Sequence, residues 1–279
     1  MSRFSARAVL PSALPEIEPK RERHDDSAPV PILEARRGGY AEWLETVVHR
    51  AYPFVASYSV ANILSFVVVA IAVVVGLLTT KVVLQVGGLE ALDERFPKWL
   101  VSQRTPRLDD ISYYVSAVGA PVLILVVAST VIYFAIRRNW RIAGFLLTAI
   151  VIEVTTYRLI AGAVGRSRPD VVQLDNLNPQ HSFPSGHVAA SVAVYCGIAM
   201  LLTSKFHNTW LRIAIWTVAI SIPVSVALSR MYRGEHHPVD VVAGALLGVG
   251  ALLVAVLATR TGIVAAERRQ QRPAEGVGS

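Results

Sequence analysis

Six stretches of the chain run for most of a membrane thickness with almost no charge, and short polar clusters separate them. The first lies within Ala51–Thr80 and the second is Ile111–Ile136; neither holds a charged residue. The third runs from Ile142 to Gly165 and is interrupted by Glu153 and Arg158. The fourth is Val188–Ser204, the fifth Ile213–Ser229 and the sixth Val241–Thr259. A helix crosses the hydrocarbon core with about 20 apolar residues, whereas helices of soluble domains are amphipathic and do not lack charge over such lengths. The pattern predicts an all-α, polytopic membrane protein, with six transmembrane helices in one bundle over residues 51–260. In the sixth span, Gly244 and Gly248 form a G-x-x-x-G surface suited to close helix packing.

Ahead of the first span, Tyr40, Trp43, Leu44, Val47 and Val48 recur at helical spacing. They predict an amphipathic helix over residues 39–50, lying in the membrane interface. Residues 1–38 are rich in proline, arginine and acid and are expected to form a disordered cytoplasmic tail. They contain no compact apolar segment of the kind a cleavable signal needs. Residues 261–279 are expected to form a second cytoplasmic tail.

Charge refines this outline. The chain carries a net +7, which raises nucleic acid as a partner. The basic residues flank the spans and do not line one surface, so no nucleic-acid partner is expected. Positive-inside topology accounts for them better. With the N-terminus inside, the cytoplasmic segments hold 17 Lys and Arg and the outer connectors nine. Five acids offset the five basic residues of the first outer connector. Both termini are therefore expected on the cytoplasmic side of the cell membrane. The single cysteine, Cys196, excludes an internal disulfide.

With that topology, two outer connectors collect the unusual chemistry. One is GRSRPDVVQLDNLNPQHSFPSGH, between spans three and four; the other is SRMYRGEHHPVD, between spans five and six. They bring Arg168, Ser185, Gly186, His187, Arg230, His236 and Asp240 to one end of the bundle. Ser185 and Gly186 precede the fourth span, where free N–H groups and the helix dipole favour an anion. Arg168 and Arg230 supply forked donors suited to phosphoryl oxygens. A carboxylate at Asp240 can bond one nitrogen of His236, fixing its tautomer and leaving the other nitrogen free to attack. Singly, each residue has a plainer role: Ser185 as a helix cap, Asp240 as a complement to a helix dipole, the arginines as topology signals. His187, His236, His237 and Asp240 also offer metal-ligand atoms, but two guanidinium groups beside them favour an anion, and no metal site is expected.

In combination, residues 161–240 resemble the type 2 phosphatidic acid phosphatase superfamily of membrane lipid phosphatases, which shares its site with vanadium haloperoxidases and glucose-6-phosphatase. That family carries K-x6-R-P, then P-S-G-H, then S-R-x5-H-x3-D. Here Arg168-Pro169, Pro184 to His187, and Ser229-Arg230, His236 and Asp240 match in order and spacing. The resemblance implies a six-span core with its site on the outer, extracytoplasmic side. It implies that His236 is the nucleophile forming a phosphohistidine, that Asp240 orients it, and that His187 is the acid and then the base. Arg168, Arg230, Ser185 and Gly186 would hold the phosphoryl oxygens, with no metal or cofactor. His237 is one residue out of register and is expected to be an interfacial neighbour, not a catalytic group.

One position departs from the pattern. Where the family has lysine, this chain has Ala161. Arg158 lies three residues earlier on the same helical face and is the leading substitute for phosphate binding; Arg166 is the other. Glu153 either contacts Arg158 or lies protonated against another helix. The expected activity is hydrolysis of the terminal phosphate of a lipid phosphate or diphosphate, with polyprenyl diphosphate first. Phosphatidic acid, phosphatidylglycerophosphate and diacylglycerol diphosphate are alternatives, because the motif reads the phosphate and not the tail. Lipid phosphotransfer through the same intermediate is a further alternative, and a transporter or lipid-binding scaffold is a different class. The expected partners are the bilayer and its phosphorylated lipid.

Overall fold

The helix starts are written into the sequence. Prolines 53, 106, 121 and 238 each open a helix, where the missing N–H costs nothing. Thr105, Asn139 and Asn208 cap helices through side chains that accept from the N–H groups of Leu108, Ile142 and Leu211. The computed structural model describes residues 30–36, 38–48 and 52–271. Among these, all regular structure is helical: α1 (Tyr40–Val48), α2 (Pro53–Lys81), α3 (Leu89–Ser102), α4 (Pro106–Val118), α5 (Pro121–Ile136) and α6 (Trp140–Val164). There follow α7 (Gly186–Ser191), a π-helical turn (Val192–Cys196), α8 (Gly197–Thr203), α9 (Thr209–Tyr232) and α10 (Pro238–Gln271).

Among the described residues, six helical segments are long and apolar enough to cross a membrane: α2, α4 with α5, α6, α7 through α8, α9, and α10. The fourth lies at the centre, with 67% of its most apolar window buried against 11% for α2. α10 packs against α2, α6 and α7. The peripheral helices turn Phe66, Ile71, Ile124, Leu125, Ile213 and Val224 outward, as contact with lipid tails requires. The G-x-x-x-G surface is used as its spacing suggests. A Cβ at Gly244 would stand 2.4 Å from the Ser185 carbonyl oxygen, and one at Gly248 2.5 Å from that of Ala189. α10 therefore touches the backbone of α7 directly, which fixes where the residues at the mouth of the fourth span sit.

Several boundaries differ from the sequence reading. The second span begins at Pro106 and breaks at Gly119-Ala120. α9 packs there so closely that a Cβ on Gly119 would come within 2.7 Å of Val226. The connector 81–110 contains an amphipathic helix, α3, whose Asp93 and Pro97 are buried. α10 continues to Gln271, and Thr261, Ile263, Val264 and Ala265 are buried on it. Part of the N-terminal tail is also packed: Val30 and Leu33 are fully buried in a cluster with Ile142, Phe145, Leu252 and Ile263. The remainder of that tail, residues 1–29 and 37, lies outside the described residues. α1 covers most of the predicted amphipathic helix; Leu44 and Val48 pack on the core, while Tyr40, Trp43 and Val47 stay exposed.

Candidate active site

Gly165 ends α6 in the left-handed conformation, with φ +58°, which its missing Cβ allows. The connector that follows folds across the end of the bundle. Ser182 N–H donates to the Arg166 carbonyl, and Leu174 N–H to that of Arg233, so the two motif-bearing connectors are joined. Ser185 N–H donates to the Asp240 carbonyl at 2.9 Å. That bond ties the start of α7 to the first turn of α10.

His236 is buried, and its Nδ1 lies 2.7 Å from the Ser182 carbonyl oxygen. A carbonyl can only accept, so Nδ1 carries the proton and Nε2 keeps its lone pair. Burial, opposed by Asp240 and reinforced by Arg230 and Arg168, holds the imidazole well below its ordinary pKa. His236 is thus neutral at pH 7, the form a nitrogen nucleophile requires. The expected direct bond from Asp240 is not made, because the nearest carboxylate oxygen is 3.9 Å from Nδ1. The Asp240 carboxylate instead accepts from Ser182 Oγ and Arg166 Nη1, both at 2.5 Å, and from the backbone N–H of His237. It holds His236 at one remove, by fixing the residue whose carbonyl the imidazole bonds.

His237 is not interfacial. It is buried, with Nδ1 3.0 Å from Asp240 and Nε2 2.8 Å from Glu94 of α3. Its pKa is raised: burial acts downward, and the Asp240 and Glu94 carboxylates outweigh it. A protonated ring donates to both carboxylates at once.

The two motif arginines each stand against a carboxylate that the sequence reading missed. Arg168 donates to the backbone carbonyls of Asn178, Glu235 and His181. Its Nη1 also stands 3.0 Å from Glu235 Oε2. Arg230 Nη1 donates to Ser116 Oγ and Asp175 Oδ2, both at 2.7 Å. Its Nε and Nη2 and the Ser185 hydroxyl are buried without a hydrogen-bond partner. Stranded polar groups of this kind are costly, and an oxyanion brought among these donors would satisfy them. His187 lies partly buried at the start of α7, close enough to His236 for its charge to act there. Burial raises the Glu235 carboxyl pKa, against the pull of Arg230 and Arg168. Asp175 goes the other way: burial notwithstanding, hydrogen bonds from Arg233 and Arg230 lower it to about 2.

Neither substitute for the missing lysine reaches this place. Arg158 is exposed on the outer face of α6 and makes no hydrogen bond or ion pair among the described residues. Five residues along a helix put Glu153 on the opposite, buried side, so those two do not meet. Arg166 is buried, but its guanidinium is engaged by Asp93 at 2.6 Å and Asp240 at 2.5 Å. Ser182, Asp175, Glu235 and the Asp93–Glu94 pair escaped the sequence reading. Only Glu235, adjacent to His236 inside the motif, carried any local signal. A groove of about 830 Å³, lined by Pro53, Ser57, Trp140, Thr259 and Ile263, lies at the other end of the bundle.

Residues 142–262 match the model of the PAP2 superfamily. The chain is similar to phosphatidylglycerophosphatase B of Bacillus subtilis, 28% identical over 58% of this chain and 80% of the relative. It is also similar to a decaprenylphosphoryl-5-phosphoribose phosphatase of Mycobacterium tuberculosis, 35% identical over 43% of this chain and 62% of the relative. The crystal structure of a transmembrane PAP2-type phosphatidylglycerolphosphate phosphatase from Bacillus subtilis shares the fold. Its TM-score is 0.53 at 22% identity, covering 76% of this chain and 97% of that one.

Proposed function

The chain is a member of the PAP2 superfamily and a phosphoric ester hydrolase of the membrane; on that premise we propose that it removes the terminal phosphate of a polyprenyl diphosphate at the outer leaflet, through a phosphohistidine on His236. The observation that carries this reading is the neutral His236, with Nδ1 bound to the Ser182 carbonyl and Nε2 free, beside the unpartnered donors of Arg230 and Ser185. The Nε2 lone pair attacks phosphorus, and the bond to the bridging oxygen breaks. His187 gives that oxygen a proton, so the lipid leaves as the monophosphate. Water, losing a proton to His187, then attacks the phosphohistidine and releases inorganic phosphate, which restores both histidines. Arg168, Arg230, Ser185 and the N–H groups at the start of α7 balance the equatorial oxygens throughout.

The polyprenyl tail is supported by the similarity to a decaprenylphosphoryl-5-phosphoribose phosphatase. The similarity to a phosphatidylglycerophosphatase supports a glycerolipid phosphate as the second reading. The outer-leaflet placement rests on the Lys and Arg excess of the opposite connectors. The test is phosphate release from purified protein over a panel of prenyl and glycerolipid phosphates. The parent should release phosphate fastest from the prenyl diphosphate. His236→Ala should reduce release to background, with no acid-labile phosphoprotein in a quench that traps one in the parent. A glycerolipid monophosphate preferred over the prenyl substrates would replace the proposed substrate; full activity in His236→Ala would remove the proposed nucleophile.

A further inference from the structure

The place formed by Arg230, Ser185 and Gly186 has a fourth wall, supplied by α6. Tyr157 lies one turn before Ala161 on the inward face of that helix. Its ring covers Gly186: a Cβ there would meet Cε2 and Cζ at 3.0 Å and Cε1 at 3.1 Å. Those three atoms are the hydroxyl-bearing end of the ring, so the phenol oxygen sits over the start of α7. The hydroxyl makes no hydrogen bond among the described residues, and the charges of Arg168 and Arg230 act on it. The ring is only half buried. A phenol held against an anion site, with its own donor unspent, is placed to give that donor to the anion.

We propose that the Tyr157 hydroxyl is a phosphate-binding group of this site, donating to a phosphoryl oxygen from the α6 side. The inference rests on the phosphatase reading above. It supplies the α6 donor that Ala161, Arg158 and Arg166 do not. Ala161 is buried and apolar, Arg158 points outward, and Arg166 is held by two carboxylates. The site then faces the phosphoryl group with a neutral donor on that side, and Gly186 is required for the ring to lie so close.

Tyr157→Phe tests this, because it keeps the ring on Gly186 and removes only the hydroxyl. In the full-length protein, kcat/KM for the best lipid phosphate of the panel should fall about tenfold, the size of one lost hydrogen bond to a charged group. Inhibition by orthovanadate, which occupies the phosphoryl position without a lipid tail, should weaken by a similar factor. Adding Ala161→Lys to Tyr157→Phe should restore part of both, since a cation one turn later reaches the same oxygens. That recovery separates a lost donor from a damaged fold. Parent-like kcat/KM and vanadate inhibition in Tyr157→Phe would overturn the proposal, as would a loss that the added lysine leaves untouched. A parent that released no phosphate from any lipid would instead overturn the phosphatase reading, a result distinct from either.

Discussion

Glu235 brings a negative charge to within 3.0 Å of Arg168 and 3.8 Å of Arg230, which an arriving phosphate needs for itself. Its fully buried position lifts its pKa, though both arginines pull it down. Below that raised value the carboxyl is neutral and leaves the guanidinium charges to the ligand; above it, carboxylate and phosphate compete. Affinity for tungstate, which stays a dianion over this range, should therefore rise as pH falls through the Glu235 pKa. Protonation of His236 lies further down, because its own pKa is depressed. Glu235→Gln keeps the size and removes the charge. At pH 8 it should bind tungstate about tenfold more tightly than the parent, the equivalent of about 1.4 kcal/mol, and its affinity should change little with pH over the same window. Titration of both proteins by calorimetry from pH 5 to 8 makes the comparison. A Gln variant with the parent's pH dependence would assign that dependence to another group.

At the scale of elements, the contact between α7 and α10 sets the geometry of the phosphate-facing residues. Gly244→Ala would put a methyl group 2.4 Å from the Ser185 carbonyl, and neither backbone can yield without moving Ser185 and Gly186. Overpacking of this kind costs about 1–3 kcal/mol, so Gly244→Ala should lower detergent-unfolding stability and phosphate release together. Gly250→Ala, on the same helix, meets only Val68 at 3.8 Å and should behave like the parent. The Gly-x-x-x-Gly spacing made this contact legible in sequence, as charge-free runs made the spans legible. α3 was not legible. Pro97 and alternating acids and bases hide its periodicity, and what fixes it lies far away in the chain. Asp93 bonds Arg166 and the N–H of Val239, and Glu94 bonds His237; no local pattern records partners more than seventy residues distant. The same holds for Ser182, a serine without local distinction until the fold sets its carbonyl against His236. Arg158 misled for a related reason: a charge inside a span suggests an inward face, and helical phase puts this one outward.

For the whole molecule, six spans return the chain to the face on which it began, so residues 52 and 271 share one end and the connectors of the site the other. Which end faces outward decides which leaflet supplies the substrate. The excess of Lys and Arg on the terminal side argues for the site outside. The chain permits a direct reading, because its one cysteine, Cys196, is buried in the fourth span and gives little background labelling. Val172, in the connector between α6 and α7, is 75% exposed; His207, between α8 and α9, is exposed at the opposite end. In a Cys196→Ser background, Val172→Cys should react with a membrane-impermeant maleimide on intact cells. His207→Cys should react only after permeabilisation. The reverse pattern would turn the bundle over and place Arg168, Arg230 and His236 at the cytoplasmic leaflet, where the hydrolase would meet newly made lipid phosphates and not those released outside. Phosphate release in detergent would be the same in either orientation, so labelling in the intact membrane decides the leaflet independently of the chemistry.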